Sequence, residues 1–298
     1  MIFLLNLHKT NDFRRVNQYL IEVNKKLKTD GVFISGFETI EQRKRRIYQK
    51  YPYVFSKIFY LFDFMYKRAW PKLPILKKIY FAISKGYNRI ISLAECLGRL
   101  YFCGFEVINL YEIDNLTYFI AKKTKNPSTD KSPSYGPIFK QRRIGKDGNS
   151  FFSYKLRTMY PYSEYIHKYI YDKYKLNKRG KISKDFRITS WGHFLRKYYL
   201  DEIPGIINFL KREMKLVGIR PLSEIFFHIY PEDLKKARVL YKPGLIPPYY
   251  VDLPHSIEDV WESERKYLGK FKKNPIKTDL FYFIKSINNI LFHHAKGA

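Results

Sequence analysis

Cysteine is scarce in this chain, with Cys96 and Cys103 the only two in 298 residues. One such pair builds neither a disulfide framework nor a four-ligand zinc site, and a reducing compartment is the expected setting. Acidic residues are few as well, 27 against 56 Lys and Arg, which leaves a formal net charge of +29. Long apolar runs are missing: none approaches the ~18–20 residues that a spanning helix needs. The opening Met1–His8 lacks a basic leader segment and an extended apolar core, so it is expected to form a short buried strand and not an export signal. A Gly-x-Gly phosphate loop is absent from the first half. Aromatic residues are abundant, at 18 %, with 27 Tyr and 24 Phe. Hydrophobic residues reach 45 %, which excludes global disorder. The length suits two domains of ~100–200 residues each. Cations and aromatics together suit a polyanion or a membrane interface. The basic residues are spread through both halves without a DNA- or RNA-binding motif, so nucleic acid is not an expected partner.

The first 125 residues alternate helical and strand patterns, an α/β arrangement. Phe13, Val16, Leu20, Val23 and Leu27 recur at helical spacing, and Asp30-Gly31 then turns into the apolar Val32-Phe33-Ile34. From Arg43 to Trp70 the chain is basic, then densely aromatic, then basic again. Such a stretch is either an interfacial helix with snorkelling flanks or a core helix with solvated ends, and the core helix is the expected form. A helix around Arg89–Leu100 and hairpin strands at Gly104–Asn109 and Leu116–Lys123 follow. That order resembles the C-terminal half of a class I S-adenosylmethionine-dependent methyltransferase domain. The resemblance implies a partial Rossmann-like remnant over residues 1–125, non-catalytic because its cofactor loop is missing.

Residues 126–135 are rich in Pro, Ser, Thr and Lys and read as a linker. Four blocks follow within residues 136–298. Gly136–Gly148 ends in Asp147-Gly148, a turn signal for a hairpin whose second strand carries Lys155 and Arg157 on one face. Two cations on one face suit a diphosphate. In the third block, which also holds Arg187 and Arg196, Asp201-Glu202 stands just ahead of Pro204 and an apolar run. That places the carboxylates at a helix N-terminus, where the ionised form is favoured. In the fourth, Gly218-Ile219-Arg220-Pro221 puts an Arg on a shaped turn that can hold a phosphate bidentately.

Taken in order, these blocks resemble the bacterial sugar transferase family, the monotopic phosphoglycosyl transferases, over residues 136–290. The resemblance implies an α+β catalytic domain that transfers sugar 1-phosphate from a UDP-sugar to a polyprenyl (undecaprenyl) phosphate. It also implies Mg²⁺ as cofactor and the cytoplasmic face of the bacterial inner membrane as the place. By similarity Asp201 is the nucleophile that carries a phosphosugar, and Glu202 assists at the metal or as a base, so Asp201 and Glu202 are the expected metal ligands. Arg196 would hold a phosphate, and Lys155, Arg157, Arg187 and Arg220 would neutralise the transferring group. The sequence departs from the family pattern at the polar linker, where an apolar re-entrant helix is usual. It departs also at Gly205, at Ile219 and in Lys242–Tyr250, so sugar preference does not carry over. The expected partners are the two substrates and an anionic membrane surface, with a second copy of the chain or other glycan-assembly proteins as further candidates. A non-catalytic membrane-surface scaffold derived from such a transferase is the competing expectation. At the C-terminus, Thr278-Asp279 is expected to cap a helix whose Leu280, Ile284, Ile287 and Leu291 stripe either packs on the domain, the expected form, or makes membrane contact. His293 and His294 have no spaced partners and read as tail residues.

Overall fold

In the computed structural model, which describes residues 1–130, 136–174 and 185–292, the apolar segments of the first half build one mixed sheet. Its strands are β1 (Phe3–Lys9), β2 (Val32–Phe37), β3 (Phe105–Ile113) and β4 (Leu116–Lys123), in the order β1-β2-β4-β3. β1 pairs parallel to β2 across a helical crossover, and β4 is antiparallel to both of its neighbours. The β3–β4 hairpin turns on Asp114 and Asn115, both at positive φ, the geometry that a twisted two-residue hairpin demands. β1 corrects the expectation of a buried strand: it pairs on one side only, and Leu5 and Leu7 stand 52 % and 87 % exposed.

The crossover helix α1 (Val16–Lys26) buries Val16, Leu20 and Val23, as their spacing predicts. Helix α2 (Ile40–Lys50) opens with a reciprocal Thr39–Gln42 capping box. Helices α3 (Tyr53–Phe64) and α4 (Pro74–Ser84) follow, and then α5 (Leu93–Phe102), capped by Ser92. The aromatic α3 is not the expected core helix. Only Ser56 of its residues is buried, Tyr60, Asp63 and Phe64 are half-buried, and its other apolar residues face out.

The compact units do not follow chain order. The first comprises Met1–Tyr135, Met159–Lys175 and Ile182–Arg187, and the second Gly136–Thr158, Leu176–Lys181 and Ile188–Ala298. The physical reason lies in the segment containing α6 (His167–Tyr174). Its Tyr162, Ile166 and Ile170 are buried in the same cluster as Leu20, Phe33, Leu97 and Phe119 of the sheet and its helices. Gly98 makes room for it, since a Cβ there would sit 2.2 Å from the Tyr162 carbonyl oxygen. Gly98→Ala is therefore expected to destabilise the first unit by roughly 1–3 kcal/mol, the usual cost of overpacking. Denaturant titration of the variant checks this, with unaltered stability as the contrary result.

The second unit begins with the antiparallel pair β5 (Ile138–Ile144) and β6 (Ser150–Leu156), joined through a turn in which Asp147 has φ 58° and Gly148 φ 74°. Helix α7 (Ser190–Lys197) precedes a 3-10 turn, Leu200–Gly205, that runs directly into the short α8 (Ile206–Leu210). Strand β7 (Lys215–Val217) then leads through α9 (Glu224–Ile229) and α10 (Glu232–Val239) to β8 (Gly244–Ile246), its parallel partner. Helices α11 (Tyr249–Asp252), α12 (Ile257–Lys273) and α13 (Pro275–Phe292) complete the unit around Val217, Ile219, Tyr267, Leu268 and Tyr282. The α13 expectation is corrected twice. The helix starts at Pro275, so Thr278 lies inside it, and the Leu280/Ile284/Ile287/Leu291 stripe is exposed. Its inward face is Thr278, Tyr282, Ser286 and Asn289, with the Asn289 amide donating to the Tyr250 carbonyl at 2.9 Å. Among the described residues no helix is long and apolar enough to cross a membrane. Residues 131–135 of the linker segment, and His293 and His294, lie outside the described residues.

Candidate active site

A cleft of about 420 Å³, open to solvent, lies in the second unit between the β5–β6 hairpin, the 3-10 turn and the β7–β8 pair. Arg143, Lys155, Glu202, Arg220 and Tyr249 line it. Local structure explains each position. Antiparallel register pairs Phe139 with Lys155, Gln141 with Ser153 and Arg143 with Phe151, so Arg143 and Lys155 share a face of the hairpin. Asn208, fully buried, ties α8 to β6: its amide donates to the Phe152 carbonyl at 2.6 Å and its oxygen accepts the Tyr154 N–H at 3.1 Å. That clamp brings the preceding 3-10 turn over β6, where the Lys155 ammonium donates to Glu202 Oε1 at 2.5 Å. Arg220 follows β7 on a turn that packs backbone against backbone. A Cβ at Gly244 would meet the Gly218 nitrogen at 2.1 Å, so only glycine permits the approach.

The expected residues divide into those the structure gathers and those it does not. Lys155, Glu202 and Arg220 meet in the cleft. Asp201, beside Glu202 on the 3-10 turn, is not among the residues that line the cleft but is influenced by Lys155, Glu202 and Arg196. Arg196, on α7, donates to the Thr158 hydroxyl at 2.9 Å. Arg157 lies just past the end of β6 and does not line the cleft: its Nε donates to the Gly136 carbonyl at 2.7 Å, and its guanidinium lies over Phe139. Arg187 is held in the first unit by the Asp185 carboxylate, two residues upstream, at 2.7–2.8 Å, with His167 Nδ1 at 3.1 Å. Being 5 % exposed and so paired, it serves that ion pair. Arg143 was not singled out from the sequence: a two-residue Asp147-Gly148 turn would set it opposite Phe152, on the other face, and the observed register, with Ile144 opposite Ser150, is what brings it to the Lys155 face.

Electrostatics mark the cleft as an anion site. Burial and the neighbouring Arg220 charge, partly offset by Glu202, pull the Arg143 guanidinium down to about 10. Cations gathered this closely favour a bound anion that neutralises them. Tyr249 and Glu202 hold Arg220 above its ordinary value against the cost of burial. Asp201 differs from the expectation of an N-terminal carboxylate kept low. Burial, with Glu202 adding to it, pushes its carboxyl above the ordinary aspartate value, while Lys155 and Arg196 oppose the shift. Among the described residues no group of three or more His, Cys, Asp or Glu could hold a metal ion. Asp201 and Glu202 supply at most two carboxylates, a set that fits Mg²⁺ when phosphate oxygens and water complete its octahedron.

A cationic cleft with adjoining carboxylates is an arrangement that can hold an anion. The comparisons give the family: residues 129–293 match the profile of the bacterial sugar transferases, and the chain belongs to that family. It is similar to the galactosyl transferase CpsE of Streptococcus agalactiae, 36 % identical over 126 residues, 42 % of this chain and 28 % of that protein. A UDP-galactose-lipid carrier transferase of Erwinia amylovora is 30 % identical over 162 residues, covering 52 % of this chain and 33 % of the relative. An undecaprenyl-phosphate galactose phosphotransferase of Salmonella typhimurium is 35 % identical over 116 residues, 37 % and 24 % of the two chains. The chain thus spans a quarter to a third of the length of these relatives.

Proposed function

We propose that the protein transfers sugar 1-phosphate from a UDP-sugar to a polyprenyl phosphate at an anionic membrane surface, through a phosphosugar carried on Asp201. The carrying observation is the juxtaposition of the Asp201–Glu202 turn with Lys155, Arg143 and Arg220. An anionic nucleophile approaches a diphosphate only where its charge is neutralised. An Asp201 oxygen attacks the phosphorus that bears the sugar oxygen. The bond from that phosphorus to the bridging oxygen breaks, and UMP leaves with its electron pair. The polyprenyl phosphate oxygen then attacks the same phosphorus, the acyl phosphate bond breaks, and the Asp201 carboxylate is restored with a sugar-diphospho-lipid as product. Lys155 holds Glu202 toward the cleft, and Arg143 and Arg220 bind the diphosphate. Mg²⁺, held by Glu202 and Asp201, would supply further charge neutralisation to the phosphates when bound.

UMP release from a panel of UDP-sugars, with undecaprenyl phosphate in detergent and Mg²⁺, tests the reading. Release with formation of a lipid-linked sugar is expected. Silence across the panel from folded protein would favour the scaffold instead. Arg143→Ala is expected to raise KM for the UDP-sugar by about tenfold or more with a smaller change in kcat, since a charge-assisted hydrogen bond to substrate is lost. Initial-rate kinetics separate the two parameters. An unaltered KM would remove Arg143 from the binding site.

A further inference from the structure

The first unit carries a pair of helices built inside out. Along α3, Tyr53, Phe55, Leu61 and Phe62 are 59–69 % exposed, whereas Ser56 is buried and Tyr60 and Asp63 turn at least partly inward. Along α4, Ile75, Ile79 and Ile83 form a stripe at four-residue spacing, exposed by 78 %, 46 % and 67 %. The arrangement is held, not frayed. Arg43 of α2 grips Asp63 through two hydrogen bonds of 2.5 and 2.8 Å, and Tyr66 packs edge-on against the fully buried Tyr80. A water-facing helix would show the reverse pattern, and helices that expose apolar side chains in this way mark a surface that is covered in use.

Charge decides what covers it. Residues 43–85 contain twelve Lys and Arg and one acid, Asp63; Arg43 and Lys67 pair with Asp63, and Arg43, Arg45, Arg46 and Arg68 pair with Glu38, Glu112, Glu38 and Glu95, which leaves the lysines to set the charge of the exposed surface. Lys50, Lys57, Lys77, Lys78 and Lys85 stand exposed beside the apolar residues, with the Lys57 ammonium 4.0 Å from the Tyr53 ring centroid. A symmetric contact between two copies would set these cations against one another. An anionic bilayer offers apolar depth to the aromatics and isoleucines and headgroup phosphates to the lysines. At 12 and 11 residues the helices are about 16–18 Å long, too short to cross ~30 Å of hydrocarbon but suited to lying in the interface plane. We propose that the α3–α4 face, Tyr53–Ser84, is a membrane-docking surface that seats the first unit on anionic lipid. This deepens the membrane-surface part of the proposed function and is independent of the transfer chemistry.

The test uses the full chain and vesicles of phosphatidylglycerol with phosphatidylcholine, compared with phosphatidylcholine alone. Phe55→Ser/Phe62→Ser/Ile75→Ser/Ile83→Ser, all at exposed positions, is expected to weaken sedimentation with anionic vesicles at least about tenfold. The same variant should keep its UMP release in detergent micelles. As both native cysteines are buried, Ile75→Cys can be labelled selectively with an environment-sensitive fluorophore. The label should shift to the blue on anionic vesicles and be quenched by brominated lipid. Vesicle binding that leaves the label unshifted would overturn this face while leaving the membrane reading intact. Wild-type protein that ignores anionic vesicles would overturn both. Self-association of the wild type that disappears in the quadruple variant would assign the face to a second copy and overturn the lipid assignment. Absence of UMP release with normal vesicle binding would count against the transfer chemistry alone.

Discussion

Replacing Asp201 by Asn is expected to lower turnover on the order of 10³-fold or more while changing UDP-sugar affinity little. The substitution is nearly isosteric, so the 3-10 turn keeps its shape and Glu202 keeps its Lys155 partner; what disappears is the anionic carboxylate that forms the covalent bond. Intact-mass measurement after mixing wild type with UDP-sugar alone should show a phosphosugar adduct, and the variant should show none. Equal turnover by Asp201→Asn would exclude a phospho-aspartate intermediate. An adduct persisting in the variant would move the nucleophile elsewhere, with Glu202 the adjacent candidate. The pH profile supplies a second readout. Because burial raises the Asp201 carboxyl above the ordinary aspartate value, the reactive carboxylate is lost as pH falls through that raised value, and the acid limb of kcat/KM should lie above the usual aspartate range. Lys155→Met removes the cation that most strongly opposes the shift, so it should move this limb to higher pH, an effect that a purely structural lysine would not produce.

Much of this site was legible in the sequence for a definite reason: short-range turn chemistry marks where strands reverse, and register fixes faces. Asp147-Gly148 locates the β5–β6 turn and so makes Lys155 part of a hairpin strand, but the observed register is one residue off that of a two-residue turn, and only that register puts Arg143 on the Lys155 face. The Gly218–Pro221 turn likewise delivers Arg220 to the cleft. Long-range packing was not legible. Nothing local says that Asn208, a lone amide in an apolar run, will clamp the strand backbone and so bring Glu202 over Lys155. Arg187 is diverted by an acid only two residues away, and Asp185-Phe186-Arg187 shows that pairing in hindsight. The helices misjudged from sequence, α3 and α13, share a cause. Helical period and apolar content identify a helix, but which face turns inward depends on partners such as Arg43 for Asp63 and the Tyr250 carbonyl for Asn289. Interleaving of the units has the same origin: Tyr162, Ile166 and Ile170 read as an ordinary continuation of the second unit until the close approach of Tyr162 to Gly98 is known.

Behind the cleft, Arg238→Met is expected to destabilise the second unit by roughly 3–5 kcal/mol near neutral pH, the cost of leaving a buried charge without its partner. Arg238 of α10 donates one nitrogen to Glu264 Oε2 of α12 and another to the Arg220 carbonyl, with Glu264 fully buried and Arg238 5 % exposed. Burial already raises the Glu264 carboxyl above the ordinary glutamate value, and Arg238 is the main influence holding it down. Without Arg238 the folded protein binds the Glu264 proton more tightly than the unfolded chain does. Stability then falls as pH rises through the window between the ordinary glutamate value and the raised folded one, and below that window the part of the penalty due to the stranded charge vanishes. Denaturant unfolding followed through Trp261, which lies against Tyr230 beside this pair, should show a loss that shrinks as pH is lowered. Adding Glu264→Gln to Arg238→Met should recover about half of the loss or more, because a neutral amide replaces the stranded carboxylate. A loss below about 1 kcal/mol, independent of pH, would mean that the two charges are solvated in the native state. Because Arg238 also holds the carbonyl of Arg220, the surviving folded fraction should bind UDP-sugar more weakly than wild type. The pair then acts as both keystone and gauge, fixing the backbone from which Arg220 reaches the diphosphate.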